Sequence, residues 1–318
     1  NKKNQKLTDE TDKTYGFTLG GPILKDKLFF FTSLEYSKKT YPATYYPGVD
    51  GYFLTTDLAS QIISKYQSAT GYGDTYNRRD VDTQSLGIMA RLDWNINSRN
   101  KLSFRYQHNN SYKDAWSSGP TSYTFNGSSY RINDNTNSFV LELNSNISPK
   151  LYNEFRAGAT LVRDDRDFDN NGPTIYIQGS QTVNLGAEYS SVGNVLDQDI
   201  WTVEDNLSWY LGNHTITFGT HNEFYNMKNG FCQYANGEFV YSGIDNFLAD
   251  KATKYVWNYF DPEVTGSTGV WKTPFKAGQW GFYVQDKWDL STRLQFTYGL
   301  RLDIPDYFHS PSTHTAFH

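Results

Sequence analysis

The chain has 318 residues and a formal net charge of −5, which argues against a nucleic-acid partner. Aromatic side chains make up 17% of it, yet its mean hydropathy is −0.67, and no run of about 18 apolar residues predicts a transmembrane helix. There are only two methionines, and much of the apolar side-chain volume is aromatic. With one cysteine, the chain cannot form an internal disulfide framework.

The first predicted hairpin covers residues 14–38 and turns around Lys25-Asp26-Lys27. The second, at about 84–109, shows the governing pattern: apolar side chains occupy the even positions from Leu86 to Ile96, and mostly polar or small ones occupy the odd positions. A period of two places the two sets on opposite faces of a strand. Hairpins with the same alternation are predicted at about 136–163, 199–227 and 278–304.

Long connections separate the hairpins, whereas each hairpin closes in a few residues. Structureless loops of such length are uncommon in compact soluble domains, but outer-membrane barrels join their strands in this way, with short periplasmic turns and long extracellular loops. About ten strands of roughly 9–13 residues also match the length of a tilted transmembrane strand. The sequence therefore predicts an all-β fold, in which residues 1–318 form a partial transmembrane antiparallel β-barrel in the bacterial outer membrane. The long connections lie at about 39–83, 110–135, 164–198 and 228–277.

Tryptophan recurs at fixed distances from the tight turns. Trp94, Trp209 and Trp288 each lie three residues before a turn, and Trp201 and Trp280 come eight residues earlier on two of these strands. Eight tilted residues rise about 20 Å, close to the height of the apolar band between the two aromatic girdles of a barrel. We therefore predict that these five side chains form the membrane girdles. Ordinary core packing is the alternative.

The opposite face of the predicted strands is rich in charge. So many ions cannot be packed dry, because each unpaired buried charge costs several kcal/mol. The sequence therefore predicts a wide lumen that holds water or an inserted polar domain. The alternative is the solvated face of a soluble sheet, which would leave a large aromatic surface uncovered on the other side. The predicted lumen-facing residues are Arg91, Asp93, Arg105, Glu142, Glu154, Arg156, Glu204, Glu223, Lys287, Arg301 and Asp303.

Two of the long connections, at about 39–83 and 228–277, are rich in aromatic side chains. Such loops above a pore suit the binding of sugars, peptides or aromatic ligands, but they could equally pack on one another. Residues around 54–67 also have the spacing of a short helix. The candidate substrate-binding residues are Tyr45, Tyr46, Tyr72, Tyr76, Tyr255, Trp257 and Trp271.

Asp165, Asp167 and Asp169 have the 1-3-5 spacing of a calcium loop, which makes calcium a candidate structural ligand. Asn170 and Tyr176 stand where such a loop needs glycine and glutamate, so a solvated acidic loop is favoured. The sequence shows no nucleophile elbow and no metal-ligand spacing of its histidines. We predict neither a cofactor nor enzymatic activity.

The segment from Gly16 to Ile23, followed by Lys25-Asp26-Lys27 and Leu28-Phe29-Phe30-Phe31, resembles TonB-dependent outer-membrane transporters of the Oar-like branch, whose members carry a carboxypeptidase-regulatory-like domain. Residues 282–288 and 298–303 resemble a mid-barrel hairpin of that family, and residues 241–248 resemble a short helix in one of its loops.

The resemblance implies a 22-stranded barrel, a plug inside it, and import of a bulky nutrient driven by TonB through the plug. Outer-membrane lipid and lipopolysaccharide are the other expected partners, and a surface lipoprotein is left open. No plug or TonB box is seen here, and residues 313–318 read as a loop, so the chain is expected to be a fragment. A passive porin and an adhesin or enzyme platform are the alternatives.

Overall fold

The computed structural model describes residues 10–266 and 272–308. Trp271 and the loop expected at 313–318 lie outside the described residues. In chain order the elements are β1 (Thr11–Leu24), β2 (Leu28–Tyr41), α1 (Thr56–Thr70), β3 (Val81–Asn95), β4 (Asn100–Ala115), β5 (Ser122–Thr124), β6 (Tyr130–Ser148), β7 (Leu151–Phe168), β8 (Thr174–Gln178), β9 (Thr182–Leu185), β10 (Asn194–Leu211), β11 (His214–Phe231), β12 (Glu238–Ser242), α2 (Ile244–Leu248), β13 (Lys254–Val256), α3 (Pro262–Thr265), β14 (Thr273–Ser291) and β15 (Leu294–Tyr307).

Ten long strands form one antiparallel sheet in the order β1-β2-β3-β4-β6-β7-β10-β11-β14-β15. Each strand pairs with its neighbours along the sheet, and the strands are 14 to 19 residues long. The predicted ten-stranded antiparallel architecture is confirmed, although the strands extend beyond their expected ends. No helix in residues 10–266 and 272–308 is long and apolar enough to cross a membrane.

The tight turns use the residues that such turns need. Asp26 adopts a φ of 64° between β1 and β2, and Gly212 a φ of 61° between β10 and β11. Between β3 and β4, Asn97 Oδ1 accepts hydrogen bonds from the backbone amides of Arg99 (2.9 Å) and Asn100 (3.0 Å). Asparagine stabilises turns through bonds of this kind, so these connections hold the hairpins in register.

The register carries the alternation across the sheet and gives it two faces. On one face, Asp93, Ser103, Glu142, Arg156, Glu204, His221, Gly281 and Asp303 lie opposite one another on successive strands. One residue along, Leu92, Phe104, Leu141, Ala157, Val203, Asn222, Trp280 and Ile304 follow the other face in the same way. We call these the charged face and the apolar face.

A group of four polar side chains, Asn153, Asp205, Thr220 and Asn222, interrupts the middle of the apolar face on β7, β10 and β11. Asn153 donates a hydrogen bond to Asp205 Oδ1 (2.7 Å), and Asn222 donates one to Thr220 Oγ1 (2.9 Å). Asp205 lies midway along β10 between Trp201 and Trp209. This cluster was not predicted from the sequence, because the other positions on this face of the three strands are mostly apolar.

Three of the four connections that the sequence predicted as loops contain a second sheet, and the fourth, at about 39–83, contains α1. The five short strands of this sheet run in the order β13-β12-β8-β9-β5, and two of the pairings, β12 with β8 and β5 with β9, are parallel. Helix α1, which the spacing around 54–67 predicted, begins at the Thr55 cap and packs on this sheet. We call this unit the loop domain. Its buried core comprises Tyr52, Leu54, Ala59, Ile62, Tyr66, Tyr123, Phe125, Ile175, Ile177, Val183, Leu185, Tyr241 and Phe247.

The long connections are ordered because they fold together into the loop domain. Each contributes apolar side chains that it cannot bury alone, and together they form a core of the kind that stabilises small domains. The short helix expected near residues 241–248 is α2, whose Phe247 is 2% exposed in this core. The connections are therefore one folded unit at the end of the sheet opposite the tight turns.

Candidate functional site

The charged face carries a network of ion pairs centred on Arg156. Its guanidinium lies 3.0 Å from Glu142 Oε2, 3.1 Å from Glu154 Oε1 and 3.7 Å from Glu204 Oε2, so one cation on β7 joins acids on three strands. His221 continues the network with Glu204 at 3.4 Å and Glu223 at 3.2 Å. The structure thus brings three predicted lumen residues around a fourth, Arg156, and links a fifth, Glu223, to them through His221.

The remaining predicted lumen residues share this face. Arg91 pairs with Asp93 and Arg301 pairs with Asp303, each at 2.8 Å. Arg105 lies opposite Arg91, and Lys287 lies opposite Thr215. All of these ion-paired side chains keep substantial exposure, as groups that contact water or a polar filling would.

The five predicted girdle tryptophans all lie on the apolar face. Their exposed fractions are 47% for Trp94, 53% for Trp201, 38% for Trp209, and 37% for both Trp280 and Trp288. The Trp280 ring packs edge-on against Phe224 at 5.0 Å, and Trp288 stacks on His214 at 5.2 Å. These rings form an exposed surface on the sheet and do not lie in a closed core.

The aromatic candidates in the long connections divide into two groups. Tyr45, Tyr46 and Tyr76 pack against the core of the loop domain. The contacts of these three side chains are therefore with the core of the loop domain, as expected if the loops pack on one another. Tyr72, Tyr255 and Trp257 instead line one surface pocket with Asn171, Pro173, Ala235, Asn236 and Phe239. Trp271 lies outside the described residues.

A larger cavity, of about 540 Å³, lies between the loop domain and the adjoining ends of β4 and β6. Trp116, Tyr130 and Tyr189 supply aromatic walls, and Lys113 and Glu188 supply charge. The Trp116 indole donates to the carbonyl of Thr124 at 2.8 Å, which fixes the ring. This cavity was not predicted from the sequence. The available signal was Trp116, the one tryptophan without a predicted role.

Asp74 ties three connections of the loop domain together. Its carboxylate accepts hydrogen bonds from the backbone amides of Thr75 (2.7 Å), Gly127 (2.7 Å) and Gly186 (2.8 Å). Burial raises the pKa of Asp74 to about 6, in spite of the lowering effect of these three donors. This role could not be predicted from the sequence, because two of the three partners are backbone amides that lie 53 and 112 residues away along the chain.

Tyr66 of α1 makes a second link next to Asp74. Its hydroxyl donates to the carbonyl of Pro173 at 3.1 Å and to Asn170 Oδ1 at 3.4 Å, and the Asn170 amide donates to the carbonyl of Gly73 at 2.8 Å.

Gly186 has a φ of +82°, and a Cβ at that position would lie 2.7 Å from the Tyr66 hydroxyl. We expect Gly186→Ala to lower the protease resistance of the loop domain while leaving the gel mobility of the folded barrel unchanged. Equal resistance of variant and parent would contradict this expectation.

The acidic residues proposed for calcium do not form a loop. β7 continues to Phe168, so the predicted boundary at residue 164 is wrong and Asp165 and Asp167 lie in a strand. Asp167 accepts a hydrogen bond from Asn133 (2.7 Å), and Asp169 pairs with Arg79 at 3.3 Å. Within residues 10–266 and 272–308, no three acidic, histidine or cysteine side chains are grouped to hold a metal ion.

Comparisons with known proteins agree with the fold. A family model described as "Outer membrane beta barrel domain" matches residues 54–317, and no curated protein matches the chain. The outer membrane transporter YddB from Escherichia coli is similar in structure, with a TM-score of 0.60, 12% identity, and coverage of 94% of this chain and 34% of that one. The closed form of the ferric-catecholate import receptor Fiu from E. coli K12 gives a TM-score of 0.50, 12% identity, and coverage of 92% and 40%. The chain thus spans less than half the length of either structure.

Proposed function

The chain belongs to the outer membrane beta barrel domain family, and from this premise we propose that it forms part of a TonB-dependent importer of a bulky nutrient. It lies in the bacterial outer membrane as a transmembrane antiparallel β-barrel segment. The resemblance of residues 16–31 to Oar-like transporters supports assignment to that branch, and the likeness to YddB supports the fold of a transporter.

The ion-pair network on the charged face is the observation that carries this proposal. Arg156 and its three glutamates lie level with the part of β10 midway between Trp201 and Trp209, where a narrow barrel would be filled with packed apolar side chains. Charges at this depth need water or a polar domain beside them. We propose that the charged face lines the interior of a wide barrel, where it contacts the plug through which TonB acts.

The apolar face would then contact acyl chains, and its tryptophans would lie at the two membrane interfaces. The loop domain would lie outside the cell, next to lipopolysaccharide. There its cavity of about 540 Å³ has a size typical of small-ligand sites and lies directly above the barrel wall. In this arrangement the chain binds and conducts its substrate and performs no chemical step on it.

Uptake by cells tests the energised mechanism. The gene for the full-length protein would be deleted, and uptake of labelled oligosaccharides, oligopeptides and ferric chelates would be measured in the presence and absence of a protonophore. We expect the deletion to abolish uptake of one class, and the protonophore to abolish the same uptake in the parent strain. Uptake that persists without the proton gradient, together with leakage of small solutes from liposomes that contain the protein, would identify a passive porin instead.

Asp205 offers a test of which face contacts lipid. An acidic side chain at the middle of a lipid-facing strand destabilises a barrel, by less than the roughly 2–4 kcal/mol found for arginine or lysine. We therefore expect Asp205→Leu to stabilise the barrel in phospholipid bilayers by about 1 kcal/mol, measured as a higher urea midpoint of unfolding. Asp93→Leu on the charged face is the matched control, and it should leave the midpoint nearly unchanged because its single ion pair with Arg91 is exposed. A lower midpoint for Asp205→Leu would contradict the assignment of the faces.

A further inference from the structure

The surface pocket of the loop domain is an open aromatic site of about 480 Å³. Tyr72 comes from the connection after α1, and Tyr255 and Trp257 come from the connection that contains β13. Their exposed fractions of 45%, 53% and 55% leave the rings available to a ligand. Aromatic rings that could pack inward, as those of the nearby core do, are here held at the surface. Exposed rings grouped around a concavity indicate a binding site.

Hydrogen bonds hold this site in shape. The Trp257 indole donates to the carbonyl of Ala235 at 3.1 Å, and the Asn236 amide donates to the carbonyl of Asn171 at 2.9 Å. The Tyr255 ring packs against Phe239 at 4.6 Å. Two rings and one amide of the site are therefore positioned before any ligand arrives, which lowers the entropy lost on binding.

The polar groups of the site are neutral. Of the described residues that line it, none carries a formal charge, and Asn171 and Asn236 provide amide groups that can both donate and accept hydrogen bonds. An anionic chelate or a charged peptide end would lose hydration here without gaining a counterion. A saccharide has no such cost, because its C–H faces stack on rings and its hydroxyls pair with amides.

The rings also extend beyond the pocket. Tyr259 lies 5.0 Å from Trp257 and is 63% exposed, so the aromatic surface continues as a strip. A strip of rings suits a chain of sugar units more than a single one. A peptide would seek backbone pairing at a strand edge, and the adjoining edge strand β13 offers three residues.

We propose that this site, formed by Tyr72, Tyr255, Trp257, Asn171 and Asn236, binds a neutral oligosaccharide. This inference rests on the proposed function, since it names the class of nutrient that the importer captures. The site lies on the surface of the loop domain, separate from the larger cavity beside β4 and β6. It would act as a first contact for the substrate outside the barrel.

Binding to the purified full-length protein in detergent tests the inference. Short neutral oligosaccharides of glucose, mannose, galactose and N-acetylglucosamine would be titrated by calorimetry, with oligopeptides as the comparison set. We expect saccharide binding that Trp257→Ala weakens about tenfold or more, while Trp257→Phe, which keeps a ring, retains most of it. Tyr41→Ala removes an aromatic side chain of similar exposure outside the pocket and should bind as the parent does.

Limited proteolysis of each variant would verify that the loop domain remains folded. Failure of the parent to bind any of these oligosaccharides, binding of oligopeptides in their place, or unchanged binding by a folded Trp257→Ala variant would each overturn the inference. The assay needs no TonB and no membrane gradient. Saccharide binding without energised uptake would therefore count against the proposed import alone, whereas energised uptake without saccharide binding would count against this site alone.

Discussion

Replacement of Asp74 by alanine is expected to open the loop domain while the ten-stranded sheet stays folded. Three backbone amides, those of Thr75, Gly127 and Gly186, lose their acceptor at once. A buried donor without a partner costs about 1–3 kcal/mol, so we expect a loss of roughly 3 kcal/mol in the free energy of opening. Hydrogen exchange read by mass spectrometry would show faster exchange in α1, β8 and β9 and unchanged exchange in β6 and β7.

The same residue predicts a dependence on pH. The pKa of Asp74 in the folded protein is about 6, above the value of 3.8 for an ordinary aspartate, so folding favours the protonated form. The part of the stability that comes from this protonation is therefore fully present below about pH 4 and is lost as the pH rises through about 6. A rise of about two pKa units corresponds to about 3 kcal/mol. The loop domain should open more readily at pH 7 than at pH 4.5.

The matched variant for this prediction is Asp74→Asn, which keeps one acceptor and cannot titrate. Opening should be measured from exchange rates corrected for the intrinsic effect of pH. The variant is expected to lose the difference between pH 4.5 and pH 7 that the parent shows. Equal opening of the parent at both pH values, or an unchanged difference in the variant, would show that Asp74 does not control the loop domain.

Replacement of Arg156 by methionine is expected to be the most damaging single change on the charged face. It leaves Glu142, Glu154 and Glu204 close together without their shared cation. Removing one partner from a buried network costs about 3–5 kcal/mol. Because the Arg156 side chain is 41% exposed, we discount this figure to roughly 2 kcal/mol. The loss would appear as a lower urea midpoint and a lower temperature at which the folded form disappears on gels.

Arg91→Met is the matched control for Arg156→Met. Arg91 lies on the same charged face and pairs with a single acid, Asp93, at 2.8 Å, and its side chain is 44% exposed. A single exposed pair contributes little, so this variant should unfold nearly as the parent does. If the two variants are equally stable, the three-acid network does not stabilise the barrel. A double variant, Arg156→Met with Glu142→Gln, should recover part of the loss, because it removes one of the unpaired charges.

The ten-stranded sheet could be predicted from the sequence because its signal is local. Within each strand, the alternation of apolar and polar residues predicts which side chains share a face. The pairing of Asp93 with Ser103, or of Glu142 with Arg156, then follows from the positions of the hairpin turns. The ends of the strands were harder to predict from the sequence. β7 runs on through Asp164 and Asp167 because cross-strand partners such as Asn133 accommodate these acids.

The loop domain could not be predicted because its signal is spread over the chain. Tyr66, Phe125, Ile177 and Phe247 meet in one core, although each comes from a different connection. The five strands of its sheet have three to five residues, too few for a clear period. Composition did identify Tyr72, Tyr255 and Trp257 as binding candidates. Their convergence in one pocket, and the separation of Tyr45 and Tyr76 from it, required the structure.

The pairing of the short strands also constrains the order of biogenesis. β12 lies in parallel with β8, some 60 residues earlier in the chain, and β5 lies in parallel with β9 in another connection. Neither pair of strands can form within a single connection. The entropic cost of pairing them falls only when the hairpins already lie side by side in the sheet. We therefore expect the four segments to cross the bilayer as unstructured chain. The loop domain would then fold last, after the strands of the barrel have inserted into the membrane. Its folding would begin on the side of the sheet where strand insertion had been completed.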